Sequence, residues 1–329
     1  MPAPRVKLVA TGGTIAMTGS PARPALSADE LIAAAPGIEQ VAQLEVEQLS
    51  NVPGVNLAPE AAARAIAAAA EAVTAGADGA VITQGTDTIE ETAELADLVW
   101  GQDAPLAITG AIRTGGAMSA DGPLNLLDAV RVASARRARG AGAVVVFDGM
   151  VHPAGEVVKS HSWRSDAFAS DGPLGYVSEG ELRLLRPPAR DGRPIARPAE
   201  LAAAPLDAYV PIVAAAAGLD SRPLDAVCDQ GAAAIVLMAL GAGHVPEPML
   251  PGIDAALAAG VPVIACARPA RGGTLTRTYG FKGSETDLAE RGVILAGDAS
   301  PWKARIRALV ALALARPAAE LFERPTPAE

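Results

Sequence analysis

Residues 79–100 read GAVITQGTDTIEETAELADLVW, and this stretch decides the fold. Gly79 to Thr83 is a short apolar, β-branched run with the character of a buried strand, and Gln84-Gly85-Thr86-Asp87 breaks it with a polar turn. From Thr88 to Trp100 the chain becomes helix-like, opening with Thr88-Ile89-Glu90-Glu91, a capping-box pattern. Working outward, Lys7 to Ala10, Leu106 to Thr109 and Val144 to Phe147 also read as strands. Pro59 to Thr74 reads as a helix, with proline near its start and Gly76 beyond its end. Strand and helix alternating in this way predict a mostly parallel sheet covered on both faces. In such a sheet, ligands sit beyond the carboxyl ends of the strands.

The stretch Arg186-Pro187-Pro188-Ala189-Arg190-Asp191-Gly192-Arg193-Pro194, followed by Arg197-Pro198, is dense in breakers and charge. It places a linker over 186–206, between an N-terminal catalytic domain (1–185) and a C-terminal domain (207–329). Beyond it, Ala208 to Val213, Ala233 to Met238 and Val261 to Cys266 read as strands, separated by helices from Pro223 to Asp229 and Pro251 to Ala259. A closing helix begins at Ser300-Pro301, a serine cap with proline at the first helical position, and is expected to run to the neighbourhood of Ala315. The expected class is therefore α/β, with a larger N-terminal mostly parallel-sheet domain plus a smaller C-terminal parallel α/β domain.

Composition narrows the function. Half of the 329 residues are hydrophobic but only 3% are aromatic, so the cores must be built from Ala, Val, Leu and Ile. A net charge of -10 with no cluster of Lys or Arg argues against a nucleic-acid binder and for a small-molecule partner. Cys228 and Cys266 are read as buried thiols; no Cys or His spacing matches a metal site, and no cofactor is expected. The start, Met1 to Lys7, shows none of the regions of a signal peptide, and no run is long enough to span a bilayer. A cytoplasmic location and no membrane partner are expected.

Two hydroxyl-rich turns carry chemistry. Thr11-Gly12-Gly13-Thr14-Ile15-Ala16 follows the first strand, and its two glycines allow a sharp turn and close backbone approach. Gln84-Gly85-Thr86-Asp87-Thr88 follows another strand and feeds a helix N-terminus. Each alone is compatible with a plain turn or a cap. Together, at one edge of one sheet, they can converge on a small site that offers backbone N–H groups to an oxyanion.

Read together, the two turns resemble the L-asparaginase/glutaminase family, with its Thr-Gly-Gly-Thr-Ile and Gly-Thr-Asp-Thr loops. The likeness extends through Gly110-Ala111-Ile112-Arg113 with Met118-Ser119-Ala120-Asp121-Gly122-Pro123-Leu124-Asn125-Leu126. It continues at Lys159 with Asp166-Ala167-Phe168 and Gly172-Pro173-Leu174-Gly175, then at Gly241-Ala242-Gly243-His244-Val245-Pro246 and Lys303-Ala304-Arg305. The resemblance implies that Thr14 attacks a side-chain amide to give an acyl-enzyme that water hydrolyses. It implies that Lys159 acts as a base through the Thr86 hydroxyl while Asp87 holds the group in place and binds the substrate's α-ammonium. The backbone carbonyl of Ala111 would accept from the amide being cleaved. A lysine base needs its pKa brought down from about 10.4 by burial or a second cation.

Two departures bear on substrate choice. The lid segment Thr18-Gly19-Ser20-Pro21-Ala22-Arg23-Pro24-Ala25-Leu26 has no tyrosine, which the family commonly carries there. Gly54-Val55 stands where the family places a Ser-Gln pair that holds the substrate; the backbone of this loop, or Asn56, is expected to substitute. Replacing Gly54 by Ser and Val55 by Gln is expected to tighten binding of asparagine. The resemblance also implies an acidic residue lent by a neighbouring subunit, Glu285 or in second place Glu290, and hence a homodimer or homotetramer. His244 is read as a loop histidine rather than a base. Three readings stay open: hydrolysis of L-asparagine, hydrolysis of a different amide, or a silent amino-acid-binding sensor.

Overall fold

The computed structural model describes residues 3–188 and 194–323. The chain divides into two compact units, Met1–Ala203 and Ala204–Glu329. The strands of the first unit are β1 (Arg5–Gly12), β2 (Met17–Thr18), β3 (Arg23–Pro24), β4 (Gln43–Val52), β5 (Gly79–Thr83) and β6 (Leu106–Thr109). They are followed by β7 (Ala143–Phe147), β8 (Met150–Pro153), β9 (Val158–Lys159), β10 (Phe168–Ala169), β11 (Gly175–Ser178) and β12 (Glu181–Leu184). Eight of them form one sheet in the order β12-β11-β8-β7-β6-β5-β1-β4. From β4 to β7 the strands run parallel; β8, β11 and β12 extend the sheet antiparallel. These last strands are only four residues long each, too short for a sequence pattern to mark.

The central strands are buried throughout because both faces are covered. On one face Leu8, Val81, Ala107 and Val144 pack with Leu126, Ala129, Val130 and Ala133 of the helix Gly122–Ser134. The alternating positions Val9, Ile82, Ile108 and Val145, also fully buried, point to the other face. Helix Pro59–Thr74 packs against β1 and β5 and against its neighbour, helix Ile89–Val99. An alanine-rich helix lets the layers approach closely, which is how a chain so poor in aromatics fills its core.

One local expectation is corrected. Thr88 stands at the N-cap of helix Ile89–Val99 but makes no side-chain cap; its hydroxyl donates instead to Gly54 O at 3.0 Å. A long-range acceptor has outcompeted the local one, and Thr86–Thr88 winds into a 3-10 turn.

The stretch read as a linker is partly structured. Residues 189–193 lie outside the described residues, but helix Pro198–Ala202 packs on helix Pro59–Thr74, with Leu201 fully buried. In the second unit β13 (Ile212–Ala214), β14 (Ile235–Ala239), β15 (Val263–Ala267) and β16 (Ile294–Leu295) form a parallel sheet in that order. β13 and β15 start later than the sequence suggests because Pro211 and Pro262 have no N–H to give to a ladder. Their carbonyls still accept from Val236 and Ile235, at 3.0 and 2.8 Å. Helices Arg222–Asp229, Leu250–Ala258, Glu285–Arg291 and Pro301–Ala313 also belong to this unit. Cys266 is buried, which pushes its thiol up to about 12; Cys228 is only half-buried, contrary to expectation. Among the described residues no helix is long and apolar enough to cross a membrane.

Candidate active site

Because β4, β1, β5 and β6 are parallel neighbours, the loops after them emerge at one edge of the sheet. Glycines let these loops touch. Gly13 has φ +84, and a Cβ on it would stand 2.1 Å from Gly85 N. A Cβ on Gly54 would stand 2.8 Å from Gly85 Cα, and one on Gly110 would stand 2.4 Å from Gln84 O and 3.3 Å from Thr86 Cγ2. The segment Gln84-Gly85-Thr86 is therefore the hub against which the loops carrying Thr14, Gly54 and Ala111 are packed. Thr14 opens a 3-10 turn at the end of β1 and is half-buried.

Lys159 reaches this hub from outside the main sheet. It lies on β9, which pairs with β10 in a separate two-stranded ribbon. Its Nζ donates to Thr86 Oγ1 at 2.9 Å and to Asp87 Oδ1 at 2.7 Å. Thr86 is buried and the Lys159 side chain is 16% exposed, whereas the Asp87 side chain is 58% exposed. An amine held between a hydroxyl and a carboxylate can exchange a proton with the hydroxyl, and the open side of the carboxylate can take a cationic ligand. The backbone N–H of Lys159 donates to Glu90 Oε1 at 2.9 Å.

The loop carrying Ala111 is fixed by two residues whose duties the sequence reading did not assign. Asp121 accepts from the N–H of Ile112 and of Arg113, at 2.9 and 2.8 Å. Buried Asn125 donates to Gly110 O at 3.0 Å and accepts from Asp148 N–H at 3.0 Å. Both belong to the motif block from Met118 to Leu126, so their position was visible although their partners were not. The segment expected to act as a lid forms a small hairpin of β2 and β3, and Gly115 N–H ties it to the same loop by donating to Met17 O at 3.2 Å.

In the remaining loop, Gly54 is buried, while Val55, 67% exposed, and Asn56 present their side chains to solvent. Glu285 belongs to the second unit and is fully buried there. Its carboxylate accepts from Thr278 N–H at 2.7 Å, Tyr279 N–H at 2.8 Å and lies 3.1 Å from His244 Nε2. Burial pushes this carboxyl up, but the N–H groups of Tyr279 and Thr278, with its own N–H and His244, outweigh burial and hold it below the usual carboxylate value. Glu290 is exposed. Among the described residues no group of His, Cys, Asp and Glu is arranged to hold a metal ion.

Comparison with known proteins agrees with this architecture. A family model described as asparaginase, N-terminal, matches residues 5–190, and one described as glutaminase/asparaginase C-terminal domain matches residues 209–323. The probable L-asparaginase of Deinococcus radiodurans is 35% identical over 321 residues, 95% of this chain and 95% of that protein. The glutaminase-asparaginase of Pseudomonas fluorescens biotype A is 33% identical over 325 residues, 96% of this chain and 88% of that protein. A crystal structure of a probable cytoplasmic L-asparaginase from Campylobacter jejuni matches with a TM-score of 0.86 at 30% identity, covering 98% of this chain and 100% of that one. The two-unit α/β fold is thus that of an asparaginase-like amidohydrolase. The chain belongs to the asparaginase family.

Proposed function

We propose that the chain hydrolyses the side-chain amide of L-asparagine to L-aspartate and ammonia through a threonine acyl-enzyme. The observation that carries this reading is the placement of Lys159 Nζ 2.9 Å from Thr86 Oγ1 and 2.7 Å from Asp87 Oδ1. Family membership and the names of the relatives in Deinococcus and Pseudomonas support the substrate. The Thr14 hydroxyl attacks the amide carbon while its proton passes by way of Thr86 to the Lys159 amine. The proton is returned to the departing nitrogen, ammonia leaves, and an ester on Thr14 remains. A water then attacks the ester, giving up its proton by the same route, and aspartate is released with the Thr14 hydroxyl restored.

Asp87, exposed on one side, holds the substrate's α-ammonium, and the Ala111 carbonyl accepts from the amide N–H. The loop Gly54–Asn56 takes the α-carboxylate through the backbone N–H groups of Gly54 and Val55, that of Asn56 being given to Pro53 O at 2.9 Å. That same loop favours one second reading, hydrolysis of another amide, because Gly54 and Val55 bring no side-chain donor to the carboxylate. A silent sensor is disfavoured, since binding alone does not need an amine bonded to a buried hydroxyl.

Likeness to the Campylobacter protein supports a cytoplasmic location, and family membership supports a homodimer or homotetramer. The experiment is ammonia release over L-asparagine, L-glutamine, their D-forms and succinamate, which is asparagine without its α-amino group, beside Thr14→Ala. L-asparagine should be the best substrate, and Thr14→Ala should fold normally yet lose nearly all turnover. A variant retaining more than about a tenth of the wild-type rate would remove Thr14 from the nucleophile's role. Preference for an amide without the α-amino acid group would move the assignment to the second reading.

A further inference from the structure

Lys159 stands on a shorter piece of sheet than the groups it serves. Thr86 and Asp87 lie in the 3-10 turn that follows β5 of the main sheet and run directly into helix Ile89–Val99. The ribbon carrying Lys159 has two residues per strand, paired Lys159 to Phe168 and Val158 to Ala169. Its β10 side is anchored by Phe168, whose ring lies 4.8 Å from that of Phe147 on β7. Its β9 side meets the helix through the Glu90 carboxylate, which is 8% exposed and accepts the Lys159 backbone N–H at 2.9 Å. Helix and lysine thus close a ring, in which Glu90 grips the backbone of Lys159 and Thr86, four residues earlier, receives its amine.

We infer that Glu90 is a positioning residue for the reaction, setting the distance at which Lys159 meets Thr86. The lysine stem is flexible, and its amine has two acceptors of unequal strength. The charged Asp87 oxygen is the stronger. If the backbone of β9 retreats from the helix, the amine keeps Asp87 and gives up Thr86, so proton transfer suffers while the carboxylate that meets the substrate's ammonium stays in place. Loss of the Glu90 contact therefore lowers kcat rather than raising KM. Its weight in turnover follows only if the Lys159–Thr86 relay proposed above operates.

Two substitutions separate reach from charge. Glu90→Gln keeps an oxygen at the same reach and removes the charge; Glu90→Asp keeps the charge and withdraws it by one carbon–carbon bond, about 1.5 Å. With L-asparagine, Glu90→Gln should hold kcat within about threefold, while Glu90→Asp should lower it at least about tenfold with KM within about twofold, as a misplacement of that size does elsewhere. In a Lys159→Met background, Glu90→Asp should lower kcat no further. An Asp variant as active as wild type, or a Gln variant as damaged as the Asp variant, overturns the inference. A Lys159→Met enzyme with the wild-type kcat defeats the relay itself, whereas a crippled Lys159→Met enzyme beside a fully active Glu90→Asp defeats only the role of Glu90.

Discussion

A serine at position 54 would put its Cβ 2.8 Å from Gly85 Cα and 2.9 Å from Gly85 C, both backbone atoms of the hub. The expectation that Gly54→Ser would improve binding therefore reverses. Overpacking of this kind costs about 1 to 3 kcal/mol, and thermal unfolding of Gly54→Ser should show it together with a raised KM for asparagine. Val55→Gln, at an exposed position, should leave stability intact and lower KM; if it raises KM, the loop does not face the carboxylate. For the hub itself, Thr86→Val and Lys159→Met should each lower kcat by about 10²-fold, with the double variant no worse than either single one, because one proton path is lost in all three. Simple additivity would separate the two residues. Thr86, Asp87 and Lys159 were legible because they fall in motifs, and their types fit one chemistry. Glu90 was not: as the second residue of helix Ile89–Val99 it passes for an ordinary acidic residue of a first turn, and only the fold brings β9 to it. The Ser-Gln substitution misled for the same reason, since a missing side chain in the sequence does not show that a neighbouring backbone has moved into its space.

Among the elements, the closing helix shows what a local signal can decide. Ser300 accepts from Lys303 N–H and Pro301 takes the first helical position, as its sequence predicts. Ser300→Ala should cost about 1 kcal/mol, read as a lower midpoint in thermal unfolding. The equivalent Thr88→Val should leave helix Ile89–Val99 unaffected, because Thr88 does not cap it, and should instead loosen the Gly54 loop and raise KM. A second pair of elements, the loop Thr278–Phe281 and the helix Glu285–Arg291, is joined by the Glu285 carboxylate. Its pKa is lowered in the folded state from an ordinary value of 4.5. The ionised form is therefore favoured by folding, the stabilisation is complete above that value, and it is lost as pH falls through the depressed folded value. Glu285→Gln should flatten the fall of the unfolding midpoint on the acid side of about pH 4.5 relative to wild type; parallel curves for the two proteins would show that Glu285 does not contribute to it. Short strands such as β9 and β10 escaped the sequence reading because two residues have no periodicity, and their pairing is fixed by contacts distant in the chain.

At the scale of the molecule, the parallel strands of the two sheets could be read from alternation alone, because buried parallel strands and the helices between them leave a repeated pattern of β-branched runs, turns and alanine-rich stretches. What alternation cannot carry is the surface. Aromatic residues make up 3% of the chain, yet Trp163, Tyr176, Tyr209, Tyr279, Phe281 and Trp302 are exposed. A chain that fills its cores with aliphatics and leaves most of its few large rings at the surface has the composition of one that buries them on assembly, since aromatics are enriched where subunits meet. This supports the proposed homodimer or homotetramer, and closed symmetry would bury the same rings on every copy. Sedimentation should show a dimer or tetramer at working concentration. On dilution, specific activity should fall in step with dissociation if, as proposed, the site is completed by a neighbour. Glu285, however, spends its carboxylate on Thr278, Tyr279 and His244 within its own unit, so its service to a neighbour would be to hold that loop in shape. A monomer that keeps full specific activity after dissociation would end both the shared site and this role, and would leave the exposed rings to be explained by some other partner.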